Sequence, residues 1–361
     1  MERLNIAVIF GGCSPEHDIS LQSAYSVIRH IDAAKYMPLL LGISPSGEWF
    51  RFTGAPEKIK NGTWNNPDDC VRAIISPDRG TRGVLLWDKA GDSHTVHTLR
   101  LDGAMPILHG KNGEDGTVQG LLALAGIPLI GCGTLASALC IDKDKAHTIA
   151  ATTGVRVPKA FTLQREAATP PHAPSHASHV YAYATRLGYP LFVKPVKAGS
   201  SYGITKVAEE TALPAAIELA FAYDDEIIIE EAIPGFEIGC ALWGNDNPIV
   251  GAVDEVELAD GFFDYDEKYS LATSAIHIPA RISPEQAENA KETAKAIYKA
   301  LGCSGFARVD MFITPSGELV FNEVNTIPGF TTHSRYPAML QAIGMSFAQI
   351  VNGLIASAVG T

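Results

Sequence analysis

No apolar run in this sequence approaches the ~20 residues that a helix needs to cross a bilayer, so no membrane contact is expected. The opening stretch MERLNIAVIFGG passes from a charged dipeptide straight into a strand-like run. It has no apolar h-region with a small-residue cleavage site, so a cytoplasmic protein is expected. The six cysteines, at 13, 70, 132, 140, 240 and 303, form no CxxC pair and no Cys/His cluster. That argues against a zinc site or a disulfide framework and for reduced, mostly buried thiols. Positive charge is scarce, with 28 Lys and Arg against 40 Asp and Glu and a net charge of -12. Non-specific nucleic-acid binding needs cations against phosphates, so no nucleic-acid partner is expected and any phosphate site must be local. Neither G-x-x-x-x-G-K-[ST] nor G-x-G-x-x-G occurs, which removes the Walker A loop and leaves a dinucleotide site poorly supported. No internal repeat is visible.

What is present is an ordinary globular composition, 46% hydrophobic and 19% charged over 361 residues, enough for two or three compact units. The first ~140 residues alternate strand candidates (LNIAVIF, MPLLLGIS, GAMPILH, IPLIGC) with helical stretches (SLQSAYSVIRHI, TVQGLLALAG). That rhythm predicts an α/β unit with an open parallel sheet over 1–141, interrupted by a hairpin-like insertion between Ser46 and Leu101. A second unit, 142–230, carries the strand LFVKPV, the loop KAGSSYG and the strand ITKVA, with AATPPHAPSHASH read as a surface loop. A third, 231–361, is richer in antiparallel strand candidates and ends in helices.

Chemistry concentrates in six places. GFARVDMFIT and ELVFNEVN flank the turn trio Pro315-Ser316-Gly317 and should form an antiparallel hairpin. Side chains alternate along strands, so Arg308 and Asp310 share one face of the first strand and Glu323 and Asn325 one face of the second, and the four groups can converge. Their oxygens suit Mg²⁺; a solvent-facing hairpin with cross-strand salt bridges is the other reading. In FVKPVKAGSSYGITKV, Lys194 ends a strand and Gly199 to Gly203, with Ser200 and Ser201 between, form a loop whose backbone can approach an anion. Lys143 adds a cation at the start of the same unit, unless it is simply an exposed helix lysine. In EIIIEEAIPGFEIGC, Glu230, Glu231 and Glu237 flank a Pro-Gly turn that can hold a nucleoside or can be plain strand-end surface.

In IFGGCSPEHDIS, Ser14 reads as a helix N-cap with Pro15 next, leaving Glu16 at the helix start. HGKNGEDGTVQG brings His109 and Glu114 before a helix starting at Thr117, and DGFFDYDEKYSLATS places Lys268 and Tyr269 in a long loop that can act as a lid.

Taken in order, GGxSxEHxxS, HGxxGEDGTxQG, the lysine of IDKDKAH, VKPxxxGSSxGI, the EKY loop, GxxRVDxF and NExNTxPGFTxHSxYP resemble the D-alanine:D-alanine ligases of the ATP-grasp superfamily across nearly the whole chain. The resemblance implies an α/β N-terminal domain followed by two α+β ATP-grasp domains that hold ATP between antiparallel sheets. It implies ATP contacts from Lys143, Lys194, the flap Gly199, Ser201 and Gly203, and an adenosine site of Glu230, Glu231, Ile233 and Glu237. Asp310, Glu323 and Asn325 become ligands of magnesium, two ions per site, with manganese as a substitute. Glu16 takes the ammonium of the first D-alanine and connects with Ser200 and Tyr269, His109 lies near that substrate, and Arg308 and the N–H of Gly329 stabilise an oxyanion. A homodimer making peptidoglycan precursors is implied.

The residue after His333-Ser334 is apolar in most housekeeping members, whereas here it is Arg335. With Phe263 it is similar to the vancomycin-resistance ligases that make D-alanyl-D-serine, because a serine hydroxyl needs a partner on burial and an arginine provides one directly or through its neighbours. Lys268, Ser334 and Arg335 would then border the second substrate. The EKY loop differs from D-alanyl-D-lactate ligases, in which a His takes the Tyr place. Two readings stay open: D-serine, or D-alanine with Arg335 only a salt-bridge residue. A biotin carboxylase lacks the SxEH and EKY elements, and a non-catalytic nucleotide sensor has no need of Asp310, Glu323, Asn325, Lys194 and Arg308 together.

Overall fold

The computed structural model describes residues 3–90, 93–165, 174–258 and 274–360. Three sheets follow one another along the chain. In the first, β1 (Leu4–Gly11) lies between β2 (Tyr36–Ile43) and β7 (Gly103–Pro106), parallel to both. Its run of Ile, Val and Phe is buried on both faces, as a parallel strand between helices requires: Ile6, Val8 and Phe10 enter one core and Ala7 and Ile9 another. The expected parallel sheet stops there. β3 (Trp49–Phe52), β4 (Cys70–Ile75), β5 (Gly83–Ala90) and β6 (Ser93–Arg100) extend it antiparallel, so the insertion is part of the same seven-stranded sheet. Among the described residues, the segments joining β2 through β6 hold only the short helix α2 (Pro56–Lys60), less than the crossover helix that a parallel return needs. IPLIGC forms no strand; Leu129 makes a single bridge to Ala104.

Helix α1 (His17–Ile28) follows β1, and its N-cap is Glu16, with no side-chain cap bond. Ser14 is therefore not the cap: its hydroxyl donates to the carbonyl of His109 at 2.7 Å and accepts from the N–H of Glu16. Helix α3 (Thr117–Ala125) runs from the HGKNGEDG segment, and α4 (Thr134–Ile141) and α5 (Lys143–Ala151) lead out of the first sheet.

The second sheet has the order β10-β9-β11-β8, built from β8 (Ala160–Gln164), β9 (Leu191–Pro195), β10 (Thr205–Val207) and β11 (Glu226–Glu231), all antiparallel. Helix α6 (Pro174–Leu187) begins inside the stretch expected to be loop, and α7 (Leu213–Phe221) packs on β9 and β11. The third sheet runs β15 (Ser274–His277), β14 (Asp254–Leu258), β12 (Phe236–Trp243), β16 (Phe306–Ile313), β17 (Leu319–Asn325), with the short β13 (Ile249–Val250) on β12. Helix α8 (Pro284–Ala300) covers it, started by a reciprocal Ser283–Gln286 capping box.

The cores tie these sheets together. The last helices, α9 (Arg335–Gln341) and α10 (Phe347–Val359), place Tyr336, Leu340, Ile350 and Leu354 in the cluster that holds Ile6, Val8 and Phe10. Conversely Ala136 and Cys140 of α4 pack with Val309 and Phe321 of the third sheet. Among the described residues no helix is long and apolar enough to cross a membrane.

Candidate active site

The expected β16–β17 hairpin is present and antiparallel, with Arg308 opposite Asn325 and Asp310 opposite Glu323. A β-bulge at Asn322 lies next to that pair, since Met311 pairs with Phe321 while Asp310 pairs with Glu323. The bulge sets the chemistry. One extra residue flips every side chain beyond it, so Phe321 and Val324 face the core while Glu323 lines the cleft. Asp310 is 1% exposed, which rules out the solvent-facing reading. The Arg308 guanidinium grips Asp310 at 2.7 to 3.0 Å, and the Asn325 amide donates to Asp310 at 2.9 Å and to Glu323 at 3.4 Å.

Between the second and third sheets lies a cleft of about 360 Å³. Phe192, Ile233, Phe236 and Phe312 give it apolar walls, while Lys143, Lys194, Glu230, Glu237 and Glu323 bring charge. Lys143 is buried rather than an exposed helix lysine; its ammonium donates to the carbonyl of Ala198 at 2.8 Å and sits 4.0 Å from Glu323. It therefore ties the flap to the hairpin. Lys194 pairs with Glu230, and both are buried. The second carboxylate oxygen of Glu230 is buried with no hydrogen-bond partner among the described residues. An orphaned buried acceptor carries a desolvation cost of about 1–3 kcal/mol, which a donor on a bound base would remove. Glu231 instead accepts from Arg156 and from the N–H of Lys159.

The flap turns through Ser200 and Ser201, both at positive φ, and Gly203 at φ +70°. Ser200 hydrogen-bonds the carboxylate of Glu16, so flap and N-terminal segment meet as expected. Gly110 and Gly199 leave room for that carboxylate: a Cβ on Gly199 would stand 3.2 Å from it and one on Gly110 well inside contact.

His109 is fully engaged. Its Nδ1 bonds the carbonyl of Ile327 at 2.9 Å and its Nε2 the hydroxyl of Ser23 at 3.2 Å. Burial pushes its pKa down to about 4. Glu114 accepts from the N–H of Ile327 and of Gly110, each at 3.0 Å. Burial, reinforced by the charge of Glu16, pushes its pKa up to about 8. Gly329 lies in the turn after Pro328, where a Cβ would stand 2.9 Å from the Ser334 hydroxyl. That hydroxyl in turn accepts from the N–H of Thr331 at 2.9 Å.

Arg335 is buried, with Nε and one terminal nitrogen on Asp254 at 2.7 and 2.9 Å and the other terminal nitrogen on Glu237 at 2.6 Å; the terminal nitrogen on Asp254 also stands 3.4 Å from Asp310. It thus joins the proposed adenosine acid to the proposed metal acid through a bidentate pair with Asp254. The sequence reading missed Asp254, 81 residues away, as it missed Asn322 and the Arg281–Glu255 pair that also line or border the cleft. Asn322 opens the NExNTxPGF motif without a role having been read from it, and no short motif carried Asp254, Glu255 or Arg281. Phe263, Lys268 and Tyr269 lie outside the described residues.

The residue types fit a hard divalent ion: Asp310, Glu323 and Asn325 meet on one hairpin face, and oxygen ligands suit Mg²⁺, with the Asn325 amide, whose nitrogen now faces the two acids, turning its oxygen toward an ion. Comparison with known proteins gives the same direction. A family model described as D-ala D-ala ligase N-terminus matches residues 5–132, and one described as D-ala D-ala ligase C-terminus matches residues 149–356. The solved VanG D-Ala:D-Ser ligase from Enterococcus faecalis superposes with TM-score 0.88 and 52% identity, covering 99% of both chains. The vancomycin C-type resistance protein VanC1 of Enterococcus gallinarum is 42% identical over 98% of both chains. D-alanine--D-alanine ligase A of Escherichia coli K12 is 38% identical over 98% of this chain and 95% of its own.

Proposed function

The chain belongs to the D-alanine–D-alanine ligase family, and from that membership we propose that it joins D-alanine to D-serine, in the cytoplasm and as a homodimer, for peptidoglycan precursors. It is an ATP-dependent ligase with the ATP-grasp fold, and the family uses a divalent metal. The observation that carries the second substrate is the 52% identity, end to end, to a D-Ala:D-Ser ligase. The buried Arg335 supports it, being a cation where most housekeeping members are apolar. With its fork held by Asp254 and Glu237, Arg335 acts on the acceptor pocket through the acids it orients. We divide the chain into 1–141, 142–230 and 231–361, in keeping with the three sheets.

Chemistry follows from need. A carboxylate is a poor acyl donor, so the carboxylate of D-alanine attacks the γ-phosphorus of ATP, expels ADP and becomes an acyl phosphate. Glu16, held by Ser200, takes the ammonium of that D-alanine. Lys143 and Lys194 offset phosphate charge, Ser201 and Gly203 belong to the flap over it, and Glu230, Glu231, Ile233 and Glu237 receive the nucleoside. Asp310, Glu323 and Asn325 would hold Mg²⁺, two ions or their Mn²⁺ equivalents, which would supply further neutralisation of the phosphates. The amine of D-serine then attacks the acyl carbonyl. Arg308 and the Gly329 N–H stabilise the oxyanion, phosphate departs with the C–O bond pair and takes up the proton that the amine nitrogen loses, and the dipeptide amide forms.

The test measures ADP release with D-alanine alone and with D-alanine plus D-serine, with products identified by mass. D-alanyl-D-serine as main product is expected; D-alanyl-D-alanine as main product removes the D-serine assignment, and no turnover removes the ligase reading.

A further inference from the structure

The turn from Ile327 to Phe330 carries the oxyanion donor, and its neighbours are held from a distant part of the chain. Glu114 accepts the Ile327 N–H at 3.0 Å, and His109 Nδ1 donates to the Ile327 carbonyl at 2.9 Å, so one peptide-flanking residue is gripped on both polar groups. Ser23 accepts the Phe330 N–H at 3.2 Å and bonds His109 Nε2 at 3.2 Å. Pro328 has no N–H. Among the described residues, no partner takes the N–H of Gly329. All three clamping side chains are buried, Ser23 fully, His109 to 5% and Glu114 to 8% exposure. Glu114 is itself fixed, because its other oxygen accepts the Gly110 N–H at 3.0 Å.

We propose that Glu114, with Ser23 and His109, is a positioning residue for the second half of the reaction: it holds the 327–330 turn so that the Gly329 N–H points at the developing oxyanion. The assignment rests on the ligase reading above. A donor misaimed by a lost flanking hydrogen bond forfeits stabilisation made only in the transition state. Acyl-phosphate formation needs no such donor and stays intact.

Glu114→Gln keeps the volume but offers one acceptor to two N–H groups, and Ser23→Ala removes the acceptor for Phe330. Two rates are compared at saturating D-alanine. One is exchange of a heavy-oxygen label between bridging and non-bridging positions of ATP with D-alanine present, which reports acyl-phosphate formation. The other is dipeptide formation. Both variants are expected to exchange label within about twofold of wild type while dipeptide formation falls, about tenfold or more for Glu114→Gln, as the loss of one buried hydrogen bond implies. Equal loss of both rates, or loss of neither, overturns the proposal. A wild-type protein that makes no dipeptide while exchanging no label points instead to failure of the ligase reading.

Discussion

Replacing Arg335 with methionine tests how the cleft is held together. The guanidinium makes a bidentate pair with Asp254 at 2.7 and 2.9 Å and a further bond to Glu237 at 2.6 Å. Asp254 is 0% exposed and Arg335 7%, so the variant strands a carboxylate with no water to replace its partner. Breaking a buried pair from one side costs about 3–5 kcal/mol, whereas replacing both partners by apolar groups of similar volume is often neutral. At roughly 2–4 °C per kcal/mol for a large domain, the melting temperature should drop by about 10 °C. The double variant Arg335→Met with Asp254→Leu should regain most of it. Thermal melts followed by circular dichroism measure both, and the rescued double variant is assayed for product ratio. A single variant that melts within about 1 °C of wild type, or a double variant no better than the single, refutes the buried-pair account. A stable double variant with an unchanged ratio of D-serine to D-alanine product removes Arg335 from substrate selection.

Gly110→Ala forces a Cβ at φ +69° against the Glu16 carboxylate, so the KM for D-alanine should rise about tenfold or more while ATP binding, measured by calorimetry, stays unchanged. Lys194→Met strands Glu230 in the cleft wall and should weaken ATP binding at least about tenfold by the same calorimetry, through lost charge and an unpaired buried acid. Melting between about pH 5 and pH 8 should separate His109 from Glu114. The folded His109 stays neutral down to about 4 against 6.5 unfolded, so stability of order 2 kcal/mol is lost as pH falls from about 6.5 to 5. The folded Glu114 keeps its proton up to about 8 against 4.5 unfolded, so stability is lost as pH rises from about 4.5 to 8. The two slopes oppose each other below about pH 6.5, and Glu114→Gln should expose the His109 slope; a profile unchanged from wild type rejects the Glu114 assignment, and a variant that loses no stability on the acid side rejects that of His109.

Much of the site was legible because it obeys local rules. Two-residue alternation put Arg308 with Asp310 and Glu323 with Asn325, and Pro315-Ser316-Gly317 supplied the turn between them. What escaped was whatever depends on tertiary partners. The bulge at Asn322 has no signature in FNEVN, yet without it Glu323 would share the core face of Phe321. Lys143 alone looked like any helix lysine, and only the packing of α5 under the flap buries it. His109 was placed near a substrate by resemblance alone, and nothing in HGKNGEDG foretold that its Nδ1 bonds the Ile327 carbonyl and its Nε2 the Ser23 hydroxyl. In the N-terminal sheet the parallel strands β1, β2 and β7 and the hairpin-like character of the insertion were legible; that β3 to β6 continue the same sheet was not, because apolar runs identify strands without giving their partners. Chain segments and cores also differ, since α9 and α10 close the core of the first sheet.

A chain of net charge -12 that binds a polyphosphate must gather cations locally without leaving them unpaired when the cleft is empty of anions. Here each cation is already matched: Lys194 with Glu230, Lys143 near Glu323, Arg308 with Asp310, Arg335 with Asp254 and Glu237. Their desolvation is therefore met before any ligand arrives, which keeps the buried charges affordable in the sense that none stands alone. The acids that now hold Lys143 and Arg308 are the same acids suited to a divalent ion. Phosphate for the lysines and a metal for the carboxylates would exchange partners rather than create charge, so nucleotide and metal should each bind more tightly with the other present than alone. That coupling is a property of the paired network, and it disappears in a variant such as Glu323→Gln that removes one side of an exchange.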